Sequence, residues 1–306
     1  VYALLAGLGD AFISGSREAL LYDTLKQLKR EGEFSKLSSK YGLIFQIGLA
    51  IGTLMGGFMS TVYFRLPILS YSLMLFISAI VSSFFVEPNI DSEKFTLKNY
   101  INKTRQGVGE LTKNIHIKKV AIFYILVGGI SWACQNVFNT SVLVELGYSN
   151  LQLGFILSTI RVTNGLVLFR LLNLGKYFNR QRAYLFFPIL MMIALIPGIF
   201  LTKLFAVPFV AASMLASTAR WIILGKYTNE EFESKNRATA ISALSMAIGI
   251  LVTIIIVASG PLVEILGGSR HIYTILGLIT AVFVLPLGID LAKNHSHDTR
   301  TGKALN

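Results

Sequence analysis

The chain is 306 residues long, 53% hydrophobic and only 14% charged, with a mean hydropathy of +0.62 and a formal net charge of +12. A soluble domain of this length cannot hide so much apolar surface, because surface-to-volume scaling leaves much of any such chain in water. In a soluble chain the positive charge would suggest nucleic acid, but here the basic residues sit in short gaps between apolar runs, which points to membrane topology and away from nucleic acid.

Crossing about 30 Å of hydrocarbon takes roughly 20 helical residues. Nine runs meet that length: 1–25, 41–64, 66–86, 120–144, 151–172, 183–201, 204–225, 238–260 and 271–291. They are rich in Leu, Ile, Val and Phe, lack the period-two alternation of barrel strands and are too long for them. The expected fold class is therefore an all-α membrane protein, a polytopic bundle of nine transmembrane helices. The chain is apolar from Val1, without the basic start and cleavage site of a signal peptide. Its beginning reads as a truncation or a fragment.

The first span carries Asp10, Arg17, Glu18 and Asp23. Asp10, Ser14 and Arg17 are spaced i, i+4, i+7 and share a face, with Glu18 one step round. Charge at the bilayer centre costs about 2.5–3.5 kcal/mol on insertion scales, so such groups need a partner or a wet cavity. A carboxylate in a half-wet cavity has a raised pKa, as a proton carrier requires. Asp10 and Glu18, with Arg17 as their neutralising neighbour, are thus candidates for proton coupling, and a static ion pair that fixes helix packing is the other reading. The second span reads Gly48-Leu-Ala-Ile-Gly52-Thr-Leu-Met-Gly56-Gly57, with glycine every four residues making a groove for a close helix crossing.

The gap 87–119 is polar, with Leu97, Ile101, Val108, Leu111 and Ile115 at roughly helical spacing among lysines. It reads as a cytoplasmic central loop holding either an interfacial amphipathic helix or a solvated linker. Residues 1–86 then form the last three helices of one bundle, 120–291 a six-helix bundle, and 292–306 a cytoplasmic tail. In the fourth span Trp132, Gln135, Asn136 and Asn139 fall on one side at i, i+3, i+4 and i+7. Trp with amides can stack an apolar ring and hydrogen-bond its substituents, and a helix–helix contact is the plainer reading. In the fifth span Ser158, Arg161 and Asn164 share a face. Arg161, costly against lipid, is expected to face the cavity, either contacting an anion or balancing a first-span acid. Arg170 and Arg220 lie nearer a membrane surface and are expected to snorkel. Cys134, the single cysteine, allows no intrachain disulfide. His295 and His297 could bind metal, but a polar tail is the simpler reading, and no metal or cofactor is expected.

The basic residues test the count. Alternate gaps hold Lys26, Lys29, Arg30, Lys36 and Lys40, then Lys94 to Lys119, then Lys176, Arg180 and Arg182, then Lys226, Lys235 and Arg237, then Lys293, Arg300 and Lys303. The opposite gaps hold only Arg65, Lys203 and Arg270. This alternation puts the N-terminus of the chain outside and its C-terminus in the cytoplasm of a plasma-membrane protein. A shift of 198 lays Glu33 and Phe34 on Glu231 and Phe232, so spans one to three repeat as seven to nine with a period of six helices. Parallel six-helix repeats are a transporter plan with substrate held at mid-membrane.

The run Ser14-Gly15-Ser16-Arg17-Glu18-Ala19-Leu20-Leu21-Tyr22-Asp23 resembles the fourth helix of the major facilitator superfamily and its cytoplasmic exit. The run Asn236-Arg237-Ala238-Thr239-Ala240-Ile241-Ser242 resembles the start of that family's eleventh helix. The resemblance covers essentially the whole chain as helices four to twelve. It implies an incomplete 6+6 parallel-repeat fold, with three further helices before Val1 and the family's Gly- and Arg-rich loop among them. Gly52-Thr53-Leu54-Met55-Gly56-Gly57 is similar to the Gly-Pro-x-x-Gly-Gly core in the fifth helix of that family's proton-coupled drug exporters. Thr53 stands in place of the proline, and Leu43 where an upstream glycine belongs. By resemblance Asp23 is the fourth-helix acid that latches the outward-facing state, and the stretch 154–165 is the neighbour of the glycine face.

The expected function is a monomeric secondary transporter working by alternating access, exporting a small solute in exchange for protons. Proton-symport uptake is the alternative in the same class. No Gly-x-x-x-x-Gly-Lys loop occurs, so ATP is not the direct fuel. A membrane-embedded lipid-modifying enzyme would need a convergent acid–base or metal cluster, and no such motif stands out; an inactive transporter-shaped scaffold is the third reading.

Overall fold

The computed structural model describes residues 16–86, 97–173, 179–232 and 237–300. Every regular element among the described residues is helical. The chain divides into two compact units between Thr96 and Leu97.

The first unit contains α1 (Ser16–Gln27), a 3₁₀ turn at Glu31–Glu33, α2 (Phe34–Val62) and α3 (Leu66–Ser82). Helix α1 ends because Lys29 adopts φ +55°, the left-handed conformation that terminates helices. Arg30 N then donates to Leu25 O at 2.8 Å, and the Arg30 guanidinium donates twice to the Glu33 carboxylate at 2.7 Å. Helix α3 starts with Pro67 in its first turn, where a missing N–H costs nothing. Ile44, Phe58, Ile68, Met74 and Phe76 are exposed, an arrangement that suits lipid and not water.

The second unit contains α4 (Leu97–Leu111), then α5 (Ile115–Ala133), a π turn at Cys134–Phe138 and α6 (Asn139–Glu145) as one continuous rod. Next come α7 (Asn150–Asn173), then α8 (Arg180–Leu195) with a 3₁₀ end at Ile196–Phe200. Helix α9 (Ala206–Ala219) runs through a second π turn, Arg220–Leu224, into α10 (Gly225–Glu230). Helix α11 (Arg237–Leu266) is followed by α12 (Ser269–Ile279), a third π turn at Thr280–Val284, and α13 (Leu285–Arg300). Pro286, which cannot donate to a carbonyl one turn back, accounts for the third interruption. The side chains of Asn114 and Asn179 cap α5 and α8, accepting from Ile117 N at 2.8 Å and Arg182 N at 2.9 Å.

Among the described residues, six helical stretches are long and apolar enough to cross a membrane: Lys36–Val62, Ile115–Glu145, Asn150–Leu168, Arg180–Phe200, Thr239–Leu266 and Ser269–Lys293. Leu66–Ser82 and Ala206–Ala219 are apolar but shorter. Each expected span after the first is thus helical, while most of the first falls on residues 1–15, outside the described part. The last helix also runs on to Arg300, where the sequence suggested a tail from 292.

Close helix crossings hold the second unit together, each made possible by a glycine. A Cβ at Gly129 would lie 2.5 Å from Leu251 Cδ2, and one at Gly128 2.8 Å from Ile248 Cδ1, so α5 and α11 touch nearly backbone to side chain. Gly277 meets the backbone of Ile196, and Gly288 that of Tyr184. Gly107 of α4 packs on Thr239, so this amphipathic helix lies on the start of α11 with Leu111 buried. Ion pairs tie the ends. Glu145 takes Arg270 Nε at 2.6 Å at one end, and Lys119 binds Asp290 at 2.6 Å at the other. Beside that second pair Glu231 receives Arg180 and lies 3.4 Å from His116.

Candidate functional site

Polar side chains inside apolar helices are where a membrane bundle does chemistry, because each must be paired or serve a ligand. Asn139 is one of them. In an unbroken α-helix it would share a side with Trp132, Gln135 and Asn136. The π turn at Cys134–Phe138 puts one extra residue into that turn and splits the group. Asn139 is buried, Asn136 is exposed, and Trp132 and Gln135 are half-buried. Asn139 Oδ1 accepts from Ser213 Oγ at 3.0 Å and from the Tyr273 hydroxyl, joining α6, α9 and α12. Its Nδ2 donors are buried without a hydrogen-bond partner. The four residues thus differ in exposure, and Asn139 is the centre of an interhelical polar junction. Ser213 and Tyr273 were not singled out in the sequence.

The triplet on α7 divides in the same way. Asn164 is buried and its Nδ2 donates to Ala211 O at 3.0 Å, which fastens α7 to α9. Arg161 is half-buried, with its Nε enclosed and without a hydrogen-bond partner. Ser158 is half-buried on the same helix.

The largest departure from expectation is Arg220. It does not snorkel: its side chain is fully buried, 0% exposed. It is the first residue of the second π turn. Its Cζ lies 4.5 Å from the Trp221 ring centre and 5.3 Å from that of Tyr124, both within cation–π range. Gly128 leaves space beside it, since a Cβ there would stand 3.2 Å from Nη1. The Tyr124 hydroxyl is a loose hydrogen-bond neighbour of the guanidinium, and among the described residues none of Nε, Nη1 and Nη2 has an acceptor in close geometry. One turn back, the Ser217 hydroxyl is also buried and unpartnered. Ser213, Ser217 and Arg220 run i, i+4, i+7, the same spacing that drew attention to Asp10 and Arg17 in the sequence. Counting buried-face polar spacing along every span would have found them.

The remaining candidates fall in the first unit. Asp10 lies outside the described residues. Arg17 and Glu18 belong to α1, and their side chains are outside the description. Asp23 is half-buried on α1. Gly48, Gly52 and Gly56 line α2, and no other element of the first unit comes within 4 Å of a Cβ built on any of them; within the second unit no other element comes that near Gly165. Gly57 is half-buried beside them. Among the described residues no group of three His, Cys, Asp or Glu is placed to hold a metal ion. A shallow pocket of about 350 Å³ lies between α8 and α13, lined by Gln181, Arg182, Leu185, Ile289, Ala292 and Lys293.

No family model matches the sequence, and no curated protein or solved structure matches it.

Proposed function

We propose that this chain is the membrane-embedded body of a secondary transporter that moves a small solute by alternating access, exporting it in exchange for protons across the plasma membrane, with the N-terminus of the chain outside. The observation that carries the reading is the set of three π turns within one bundle, each with a polar residue in it or directly after it: Asn139, Arg220 and Thr280. A π turn weakens the regular ladder at one point in a helix, and such turns recur at functional sites. In apolar helices they supply what a carrier needs, namely polar groups at depth and places where a helix can change its path. The long basic loops on one side and the likeness to major facilitator helices four to twelve favour the same reading. Asp10 and Glu18 would carry the proton, with Arg17 as their counter-charge.

The test is reconstitution of the complete protein in proteoliposomes with an imposed pH gradient, screened against labelled organic cations and anions. Uphill flux that collapses with the gradient is expected for at least one solute. Asp10→Asn or Glu18→Gln should remove uphill flux while leaving counterflow exchange. If both variants concentrate solute as well as the parent, those acids are structural. If no solute moves in either mode, the carrier reading fails.

A further inference from the structure

Arg220 has no role in the proton-coupling scheme, yet it is the largest fully buried side chain among the described residues. A guanidinium is a permanent cation with five N–H donors in a planar fork. Taken out of water, it is destabilising unless an opposite charge and hydrogen-bond acceptors replace its hydration. Here it is fully buried, and among the described residues Nε, Nη1 and Nη2 have no acceptor in close hydrogen-bond geometry and no carboxylate answers the charge. The Tyr124 and Trp221 rings engage its charge through their faces, and the Tyr124 hydroxyl meets only part of its five-donor fork. Two further buried groups can donate and have no partner among the described residues: the Ser217 hydroxyl on the same helix face, and Asn139 Nδ2 at the junction with Ser213, about two turns from Arg220 along α9. Along α9 the face Ser213–Ser217–Arg220 covers about 10 Å of helix, the length of a small solute. Each unmet group on this track can donate a hydrogen bond.

We infer that the track Asn139–Ser217–Arg220 is a recognition site for an oxyanion, a carboxylate or a phosphate, presented by a small solute. The planar fork of Arg220 takes such a group by two parallel hydrogen bonds, a geometry that a halide or a cation does not match. The Ser217 hydroxyl and Asn139 Nδ2 would take other polar atoms of the same solute. Gly128 serves the site by leaving Nη1 uncrowded, because any larger residue there presses on it. The inference deepens the carrier reading by giving its substrate a charge class, and it rests on that reading only for the claim that the solute is transported.

The chain carries only two tryptophans, Trp132 and Trp221. In a Trp132→Phe background the remaining indole lies against Arg220 and reports on it directly. The full chain in detergent is titrated with hexanoate, inorganic phosphate and, as a control, hexylammonium. A saturable change in Trp221 emission is expected with hexanoate or phosphate and not with hexylammonium. Arg220→Lys should weaken the apparent affinity about tenfold, because a point charge cannot replace the fork, and Arg220→Met should abolish the response. Thermal unfolding separates this role from a structural one. Removing a structural arginine lowers the melting temperature, whereas Arg220→Met should raise it in ligand-free protein, since an uncompensated cation is removed. A lower melting temperature in Arg220→Met, an unchanged oxyanion response in that variant, or the absence of any response to either oxyanion would each overturn the proposal. Binding in detergent does not depend on flux. Binding without transport in proteoliposomes would sink the carrier reading alone, and anion-independent transport unaffected by Arg220→Met would sink the site alone.

Discussion

At the scale of single residues, the chain shows both what a charge can do at a surface and what it demands inside. The Arg30–Glu33 pair lies at the surface, with side chains 56% and 42% exposed. The hydrogen bonds from Arg30 hold the Glu33 carboxyl below its ordinary value, with a smaller part from the attraction of the two charges. Because that value is depressed by folding, the clamp contributes at neutral pH and is lost as pH falls through the lowered Glu33 value. Arg30→Gln should therefore move the Glu33 titration midpoint upward in a carbon-detected NMR titration, and an unmoved midpoint would show that the clamp does not form in solution. Arg220 is the opposite case, and its residue type alone gave no sign of it. The sequence places it six residues before the start of the polar segment 226–237, near enough for a long side chain to reach water. What hides it is the helix running on through the second π turn to Glu230 and packing beside α5, with Gly128 admitting the guanidinium. That is tertiary information. Asn139 illustrates the intermediate case: its residue type and depth were legible, but its partners Ser213 and Tyr273 lie on helices far along the chain.

At the scale of elements, hydropathy marks the helices well because an apolar run of membrane length has few other solutions, and the capping asparagines Asn114 and Asn179 stand where the polar gaps end. Close crossings were less legible. The glycine ladder Gly48–Gly52–Gly56 is regular, yet no other element of its own unit fills it, while isolated glycines of the second unit such as Gly288 and Gly277 make tight contacts. Spacing signals that a groove exists, but what fills it depends on which helix folds back against it. A direct comparison follows from this difference. Gly288→Ala would drive a Cβ to 2.4 Å from Tyr184 O, a backbone atom that cannot yield without moving α8. It should destabilise the bundle by about 1–3 kcal/mol. Gly249→Ala meets nothing within 4 Å inside α11 and should be neutral or stabilising by up to about 1 kcal/mol, through the better helix propensity of alanine. Thermal unfolding of both variants in one detergent measures the contrast, and equal shifts would mean that the α8–α13 crossing is looser than described.

At the scale of the whole molecule, the charge asymmetry between alternate gaps makes a claim about direction that internal packing does not address. Cys134 is buried, so a Cys134→Ala background should fold and offer no accessible thiol. In that background a cysteine at Asn150 should react with an impermeant reagent applied to intact cells. Cysteines at Lys103 and Asn179 should react only after permeabilisation. Labelling of Lys103 from outside would invert the topology and with it the proposed direction of every bundle end. The two units were separable in sequence because a polar, basic stretch divides them, and the structure draws its division between Thr96 and Leu97, inside that stretch.

The π turn at Cys134–Phe138 has a consequence for how this rod tolerates losing a residue. A helix that holds one residue more than its ladder needs can give that residue up and close into a regular spiral, leaving both flanks on their original faces. Deleting Asn136, which is exposed, should leave Asn139 facing Ser213 and Tyr273, and Lys119 facing Asp290. Deleting Ile122, also exposed but in regular α5, would rotate everything on one side of it by about 100° and break one of those pairings. The shortened protein lacking Asn136 should insert and unfold much like the parent while losing flux, the pattern of a redundant residue kept for motion and not for architecture.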